Sequence, residues 1–170
     1  MVFRATPILL FEDLSIDDEW ESPGRTITVA DVVNFAGLSG DFNAIHVDHD
    51  AAKAGIFRQP VAHGLLGLIV SSGLAIHHPQ VETLALLAIQ DWKFLQPIRF
   101  GDTVRSRTRV VALEPKAGGR RGLVTWKRTL INQDNQIVQE GTYQTLVRGK
   151  RTPDRQVSGA VPRTAADANS

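Results

Sequence analysis

The thirteen residues from Gly64 to Ile76 (Gly-Leu-Leu-Gly-Leu-Ile-Val-Ser-Ser-Gly-Leu-Ala-Ile) leave almost no polar face on a helix. A helix that is apolar nearly all round must be buried on most sides. It is too short to cross a bilayer, which takes about 20 residues. The rest of the chain must therefore cover it. Small Gly67, Ser71, Ser72 and Gly73 would let another element approach closely. Pro79 ends the segment, and from there the pattern is strand after strand. Residues 83–90 form an apolar run without caps, and Trp92, Phe94 and Leu95 continue it towards Pro97. In residues 103–113, Val104, Ser106, Thr108 and Val110 face one way and Arg105, Arg107 and Arg109 the other. Residues 122–131 and 136–147 are two β-rich runs around Asn132-Gln133-Asp134-Asn135, a hairpin turn by composition. Helices ahead of an antiparallel meander imply an α+β fold, and one apolar helix facing a sheet that can curve implies that the sheet wraps it.

The first 25 residues mix Pro, Asp, Glu and Trp20 and read as an irregular lead-in with room for one short strand. Thr28 starts a helix: its hydroxyl can cap free N–H groups, and Asp31 puts a carboxylate in the positive first turn. Val29, Val32, Val33 and Ala36 give that helix one apolar face, and Gly37, Ser39 and Gly40 end it. Residues 41–46 are then a loop just beyond a helix. Asp48 can cap a short helix over residues 50–54, which Gly55 stops, and Pro60 breaks the chain.

At 170 residues the chain has room for one domain, expected over residues 1–150. Residues 151–170, with Pro153, Gly159, Pro162 and many small polar residues, are expected to form a flexible tail. The net charge of +1 argues against nucleic acid as a partner. The absence of Cys excludes disulfides, thiolate nucleophiles and Cys-ligated metals. The amino terminus lacks the pattern of a signal peptide, so a soluble cytoplasmic protein is expected, with no membrane partner.

Asp41, Asn43 and His46 bring an acid, an amide and an imidazole within six positions. An Asp and a His that converge on one small molecule can hold a water from two sides and move protons through it. Asn43 suits an Asx turn that fixes the loop. Each residue also has a plainer role: Asp41 can close a turn, and His46 can be a satisfied loop histidine. His77 and His78 read as a solvated helix end. His46, Asp48, His49 and Asp50 could suggest a metal, but a second well-spaced histidine set is lacking and Asp48 serves better as a cap. Arg105, Arg107 and Arg109 read as the wet face of a strand, with coenzyme A phosphates as the sharper alternative.

Asp41-Phe42-Asn43-Ala44-Ile45-His46, followed by His63-Gly64 at the head of the apolar helix, resembles the signature of the MaoC-like dehydratase family, which includes the R-specific enoyl-CoA hydratases. Val47-Asp48, Phe94-Leu95-Gln96-Pro97 and Gly101-Asp102-Thr103 match its flanks, and the likeness spans about residues 20–148. Ala44 departs from it, since Pro commonly follows the Asn. The resemblance implies the hot dog fold, a curved antiparallel sheet around a central helix. It implies Asp41 and His46 as the catalytic pair, the backbone N–H of Gly64 as the oxyanion hole, and Ser72 near the Asp. His63 would line the site or orient the loop, and no metal or cofactor is needed. The implied activity is a hydro-lyase acting on an acyl thioester of coenzyme A or acyl carrier protein, trans-2-enoyl-CoA to 3-R-hydroxyacyl-CoA or the reverse. The implied assembly is a homodimer or a dimer of dimers with its active sites at the interface. An acyl-CoA thioesterase on the same fold and a non-catalytic acyl-binding member are the alternatives.

Overall fold

A computed structural model describes residues 7–150. The expectation for residues 151–170 lies outside the described residues. After a 3-10 turn at Phe11–Asp13 come two short strands, β1 (Glu19–Glu21) and β2 (Arg25–Thr26), where one was expected. Four helices follow: α1 (Val29–Ser39), α2 (Ala44–Val47), α3 (His49–Ala54) and α4 (Gly64–Ala75). Four long strands complete the order: β3 (Thr83–Phe94), β4 (Thr103–Lys116), β5 (Arg121–Ile131) and β6 (Ile137–Arg148). The sheet is antiparallel and open, in the order β1-β4-β5-β6-β3, with β2 also on β4. The class is α+β, as expected.

Local chemistry explains the elements. The Thr28 hydroxyl accepts from the Asp31 backbone N–H at 3.3 Å, while the Asp31 carboxylate accepts from the Thr28 N–H at 2.8 Å. This reciprocal box starts α1. Gly40 ends it at φ 76°, a left-handed conformation that glycine adopts without cost. The Asn132–Asn135 turn joins β5 to β6, with Asn135 at φ 60°. The apolar run from Thr83 and the Trp92–Leu95 stretch prove to be one strand, β3, up to Phe94. Asp91, at φ 50°, lies where the β3–β6 register shifts between Gln90 and Lys93, a bulge rather than a break.

The strand alternation holds. Val104, Ser106, Thr108 and Val110 of β4 point inward, while Arg105 and Arg107 pair with Glu19 and Glu21 of β1. Those arginines form the wet face. Two apolar clusters occupy the inner side of the sheet. One joins Leu66 and Val70 of α4 to Val104, Leu130 and Val138. The other joins Phe11 and Leu14 to Val110, Trp126 and Val147. Each fully buried aliphatic side chain contributes on the order of 1.5–3 kcal/mol.

One expectation fails. The α4 helix is buried on one side only: Leu66, Gly67, Val70, Ser71 and Ala75 face the sheet, while Leu65, Ile69 and Ile76 are 57%, 54% and 62% exposed. An open sheet covers one face of a helix and leaves the other bare. Edge strand β3 is likewise apolar and exposed at Leu84, Leu86, Leu87 and Ile89. Gly67 and Ser71 do permit close approach: a Cβ on Gly67 would meet Gln139 at 2.3 Å, and the Ser71 and Ser106 hydroxyls are 3.2 Å apart. Gly73 does not, since it faces open space.

Candidate functional site

The αL turn at Gly40 hands the chain from α1 to Asp41. Asp41 does close a turn, one carboxylate oxygen accepting from the Asn43 N–H at 3.2 Å. Asn43 does more than hold a loop. Its side chain accepts from the Ile45 N–H at 3.2 Å and so caps α2, a helical turn where a loop was expected. That turn carries His46 inward, where it is 8% exposed. The Asp48 carboxylate accepts from the Asp50 and Ala51 N–H groups, both at 3.0 Å, and caps α3 as expected.

His46 Nδ1 donates to the Val61 carbonyl at 2.7 Å, which fixes the ring and turns Nε2 towards Asp41. Nε2 lies 4.0 Å from Asp41 Oδ2. That gap is too long for a direct hydrogen bond and suits two groups bonded to one water. His63 is buried at the head of α4, and its Nε2 donates to the main-chain carbonyl of Asp41 at 2.9 Å. Its ring stacks on His46 at 3.8 Å between centroids, and Phe35 covers it at 4.9 Å. His63 thus contacts the main chain of the Asp41 loop.

The carboxylate and the two imidazoles offer donor atoms within 4.8 Å of one another, a set that a divalent transition metal could take. The cluster His46, Asp48, His49 and Asp50 does not assemble in this way, because Asp48 caps α3. Two imidazole nitrogens of the Asp41–His46–His63 set are already spent on carbonyls, leaving His46 Nε2 and His63 Nδ1.

Gly64 is the first residue of α4, and the first intrahelical bond runs from the Gly67 N–H to the His63 carbonyl. The Gly64 N–H therefore has no partner within the helix and sits at its positive end. Gly64 and His46 line one cavity of about 360 Å³ together with Phe94, Leu95, Gln96 and Pro97, the downstream flank of the motif. A Cβ on Gly64 would meet the Phe94 ring at 2.9 Å. Ser72 does not join this group. It lies eight residues on, about 12 Å along the helix axis, beside Tyr143 in a second cavity.

Gln139 escaped the sequence reading. It is buried on β6, donates to the Gly64 carbonyl at 3.0 Å and accepts from Trp92 Nε1 at 3.1 Å. The signal was an amide on the inward face of a strand, in step with Tyr143, Thr145 and Val147.

The MaoC like domain family matches residues 13–132. The chain is 34% identical over 138 residues to the (R)-specific enoyl-CoA hydratase of Rhodospirillum rubrum, covering 81% of this chain and 90% of that protein. It is 36% identical over 97 residues to Protein MaoC of Klebsiella aerogenes, covering 57% of this chain but only 29% of that protein. Among solved structures, the monoamine oxidase regulatory protein from Archaeoglobus fulgius aligns with a TM-score of 0.77 at 32% identity, over 86% of this chain and 97% of that one. A Mycobacterium tuberculosis protein described as a double hotdog fold aligns with a TM-score of 0.74 at 24% identity, over 96% of this chain and 52% of that one. The fold is the hot dog fold, and the chain belongs to the MaoC-like domain family.

Proposed function

We propose that the protein is a hydro-lyase for acyl thioesters, adding water to a trans-2-enoyl-CoA to give a 3-R-hydroxyacyl-CoA, or catalysing the reverse. The observation that carries this reading is the 4.0 Å separation of Asp41 Oδ2 and His46 Nε2 beside the free amino end of α4. One water held by both groups would attack C3. The pair takes the proton that the water loses and returns one to C2. Negative charge then grows on the thioester oxygen, where the Gly64 N–H and the positive end of α4 stabilise it; losing such a donor costs on the order of 10²–10³ in rate. Glycine there lets the thioester approach the backbone closely. Names of relatives support the reaction class: the Rhodospirillum rubrum hydratase, and a 3-hydroxybutyryl-CoA dehydratase of Methylorubrum extorquens at 34% identity over 110 residues.

The working form in this reading is a homodimer or a dimer of dimers. The bare apolar side of α4 and the exposed edge strand β3 are the surfaces it would cover. No helix among the described residues is long and apolar enough to cross a membrane.

The test is direct. Purified protein with crotonyl-CoA should lose enoyl absorbance without releasing free thiol. Thiol release in place of hydration would support the thioesterase alternative, and tight acyl-CoA binding without turnover the non-catalytic one. Inertness across short and medium enoyl-CoAs would remove the hydratase reading.

A further inference from the structure

The inner face of the sheet should be apolar throughout, since it packs against α4, yet a polar band crosses it. On β4 the band holds Ser106 and Thr108, between Val104 of one apolar cluster and Val110 of the other. On β5 it holds Arg128, between Leu130 and Trp126. Thr108 and Arg128 are register partners. Arg128 lies over the Tyr143 ring, its guanidinium carbon 4.0 Å from the centroid.

These groups are poorly satisfied. Among the described residues, Arg128 Nε and Thr108 Oγ1 are buried with no hydrogen-bond partner, while the Tyr143 hydroxyl has only the Arg128 guanidinium and the Ser72 hydroxyl beside it; Thr108 and Tyr143 are each 1% exposed. Among the described residues no carboxylate pairs with Arg128. Burial lowers the guanidinium from its ordinary value, and the same burial raises the Tyr143 phenol. Retaining a buried cation with no carboxylate beside it among the described residues is costly unless a further group completes it.

The unpaired groups face the second cavity, of about 250 Å³. Ala75, Ile76, Pro79, Val81 and Leu86 supply apolar wall, Ser72 and Thr83 add hydroxyls, and Arg128 is the one charged residue lining it among the described residues. Leu65, Ile69, Ser72 and Ile76 recur at helical spacing along the open side of α4. Of these, Ser72 and Ile76 line this cavity, while Gly64 at the start of the same helix lines the first.

We propose that this cavity binds the far end of the acyl chain through a terminal carboxylate held by Arg128, with Thr108 and Tyr143 as further donors, so that the substrate class is the coenzyme A thioester of a dicarboxylic acid. The proposal rests on the acyl-thioester reading above. The walls take the methylene segment, and the guanidinium and two hydroxyls meet the carboxylate at the polar band. A methyl-ended chain would leave the Arg128 guanidinium buried without an anionic partner and the Thr108 hydroxyl unpaired.

The test compares saturated acyl-CoAs in matched pairs, one ending in methyl and one in carboxylate, over a series of chain lengths. Affinity is measured by calorimetry on the full chain, and the matching enoyl-CoAs are assayed for hydration. For chains long enough to reach Arg128, the carboxylate ligand should bind at least tenfold more tightly, as charge-assisted hydrogen bonds to a buried partner give about tenfold to a hundredfold. Arg128→Met should abolish or reverse the preference, and Thr108→Val should weaken it by a smaller factor. The wild-type comparison decides the matter even if a variant fails to fold. Methyl-ended chains bound and hydrated as well as carboxylated ones at every length would overturn the inference and leave the hydratase reading standing. A carboxylate preference without hydration would overturn the hydratase reading alone, and no binding of either kind would overturn both.

Discussion

The two ends of α4 handle polar groups in opposite ways. At the amino end every reactive side chain has one atom tied down to the backbone; His46 and Asp41 keep one atom open, and His63 Nδ1 is buried without a partner among the described residues. His46 gives Nδ1 to Val61, His63 gives Nε2 to Asp41, and Asp41 gives one oxygen to the Asn43 turn. Towards the other end, Arg128 Nε and Thr108 Oγ1 are buried without a hydrogen-bond partner, and Arg128 has no carboxylate beside it, among the described residues. A group anchored by backbone and open on its far side is oriented without being consumed, which suits proton exchange. A buried group with no partner is a standing cost, which suits a ligand that brings the missing partner. The first arrangement should be nearly neutral for stability and large for rate. The second should cost stability until it is filled.

The largest effect expected from this contrast is at Asp41. Its side chain is about half exposed and its turn oxygen survives in an amide, so Asp41→Asn should leave the melting temperature within a degree or two. Hydration of crotonyl-CoA should fall by about 10²–10⁴, the usual share of a positioned acid or base. A variant that melts early would instead make Asp41 a structural residue. Arg128→Met reverses the pattern. Replacing a buried unpaired cation with an apolar side chain should stabilise the free protein by roughly 1–4 kcal/mol, read as a raised denaturant midpoint. A fall would mean that the guanidinium is already satisfied in the free protein, and the contrast would collapse.

Gly67 lies between the two ends, where α4 comes closest to the sheet. A Cβ there would meet the Gln139 amide at 2.3 Å and Ile98 at 2.7 Å. Gly67→Ala should cost about 1–3 kcal/mol by overpacking, seen as a melting temperature lowered by several degrees. Because Gln139 also holds the Gly64 carbonyl, kcat should fall in the protein that remains folded. Full stability in this variant would show that the helix can lift away from the sheet.

Much of this was legible in the sequence, for local reasons. Thr28 with Asp31, Gly40, Asp48 and the 132–135 turn act within a few residues of themselves, and the structure uses each as its chemistry dictates. The β4 alternation was legible because period two is a local pattern. What stayed hidden depends on which surfaces meet. Hydropathy alone does not say that the sheet covers only one side of α4. Ser72 falls on the same helix as Gly64, but only the distance along the axis separates it from Asp41. Gln139 and Arg128 were visible as polar residues at inward positions of strands, a signal that gains meaning once the register fixes which face is inward.

The smallest effect expected concerns how firmly the amino-end site is delivered. Asp31 holds the start of α1, the helix whose far end presents Asp41. Its carboxyl lies below its ordinary 3.8, first because it accepts from the Thr28 backbone N–H, then from the Thr28 hydroxyl, with Arg25 adding charge. A carboxyl lowered on folding stabilises the protein in its ionised form. Its contribution is full above the ordinary carboxylate value and is lost as pH falls through the lowered one. Asp31→Asn should therefore cost about 0.3–1 kcal/mol at neutral pH, and the gap from wild type should close as the pH is taken below 3.8. Denaturant midpoints for both proteins across that range give the curve. A gap that stays constant with pH would mean that the capping box is held by shape rather than by charge. Asp41 would then depend on the packing of Val32, Phe35 and Ala36 to reach its place beside His46.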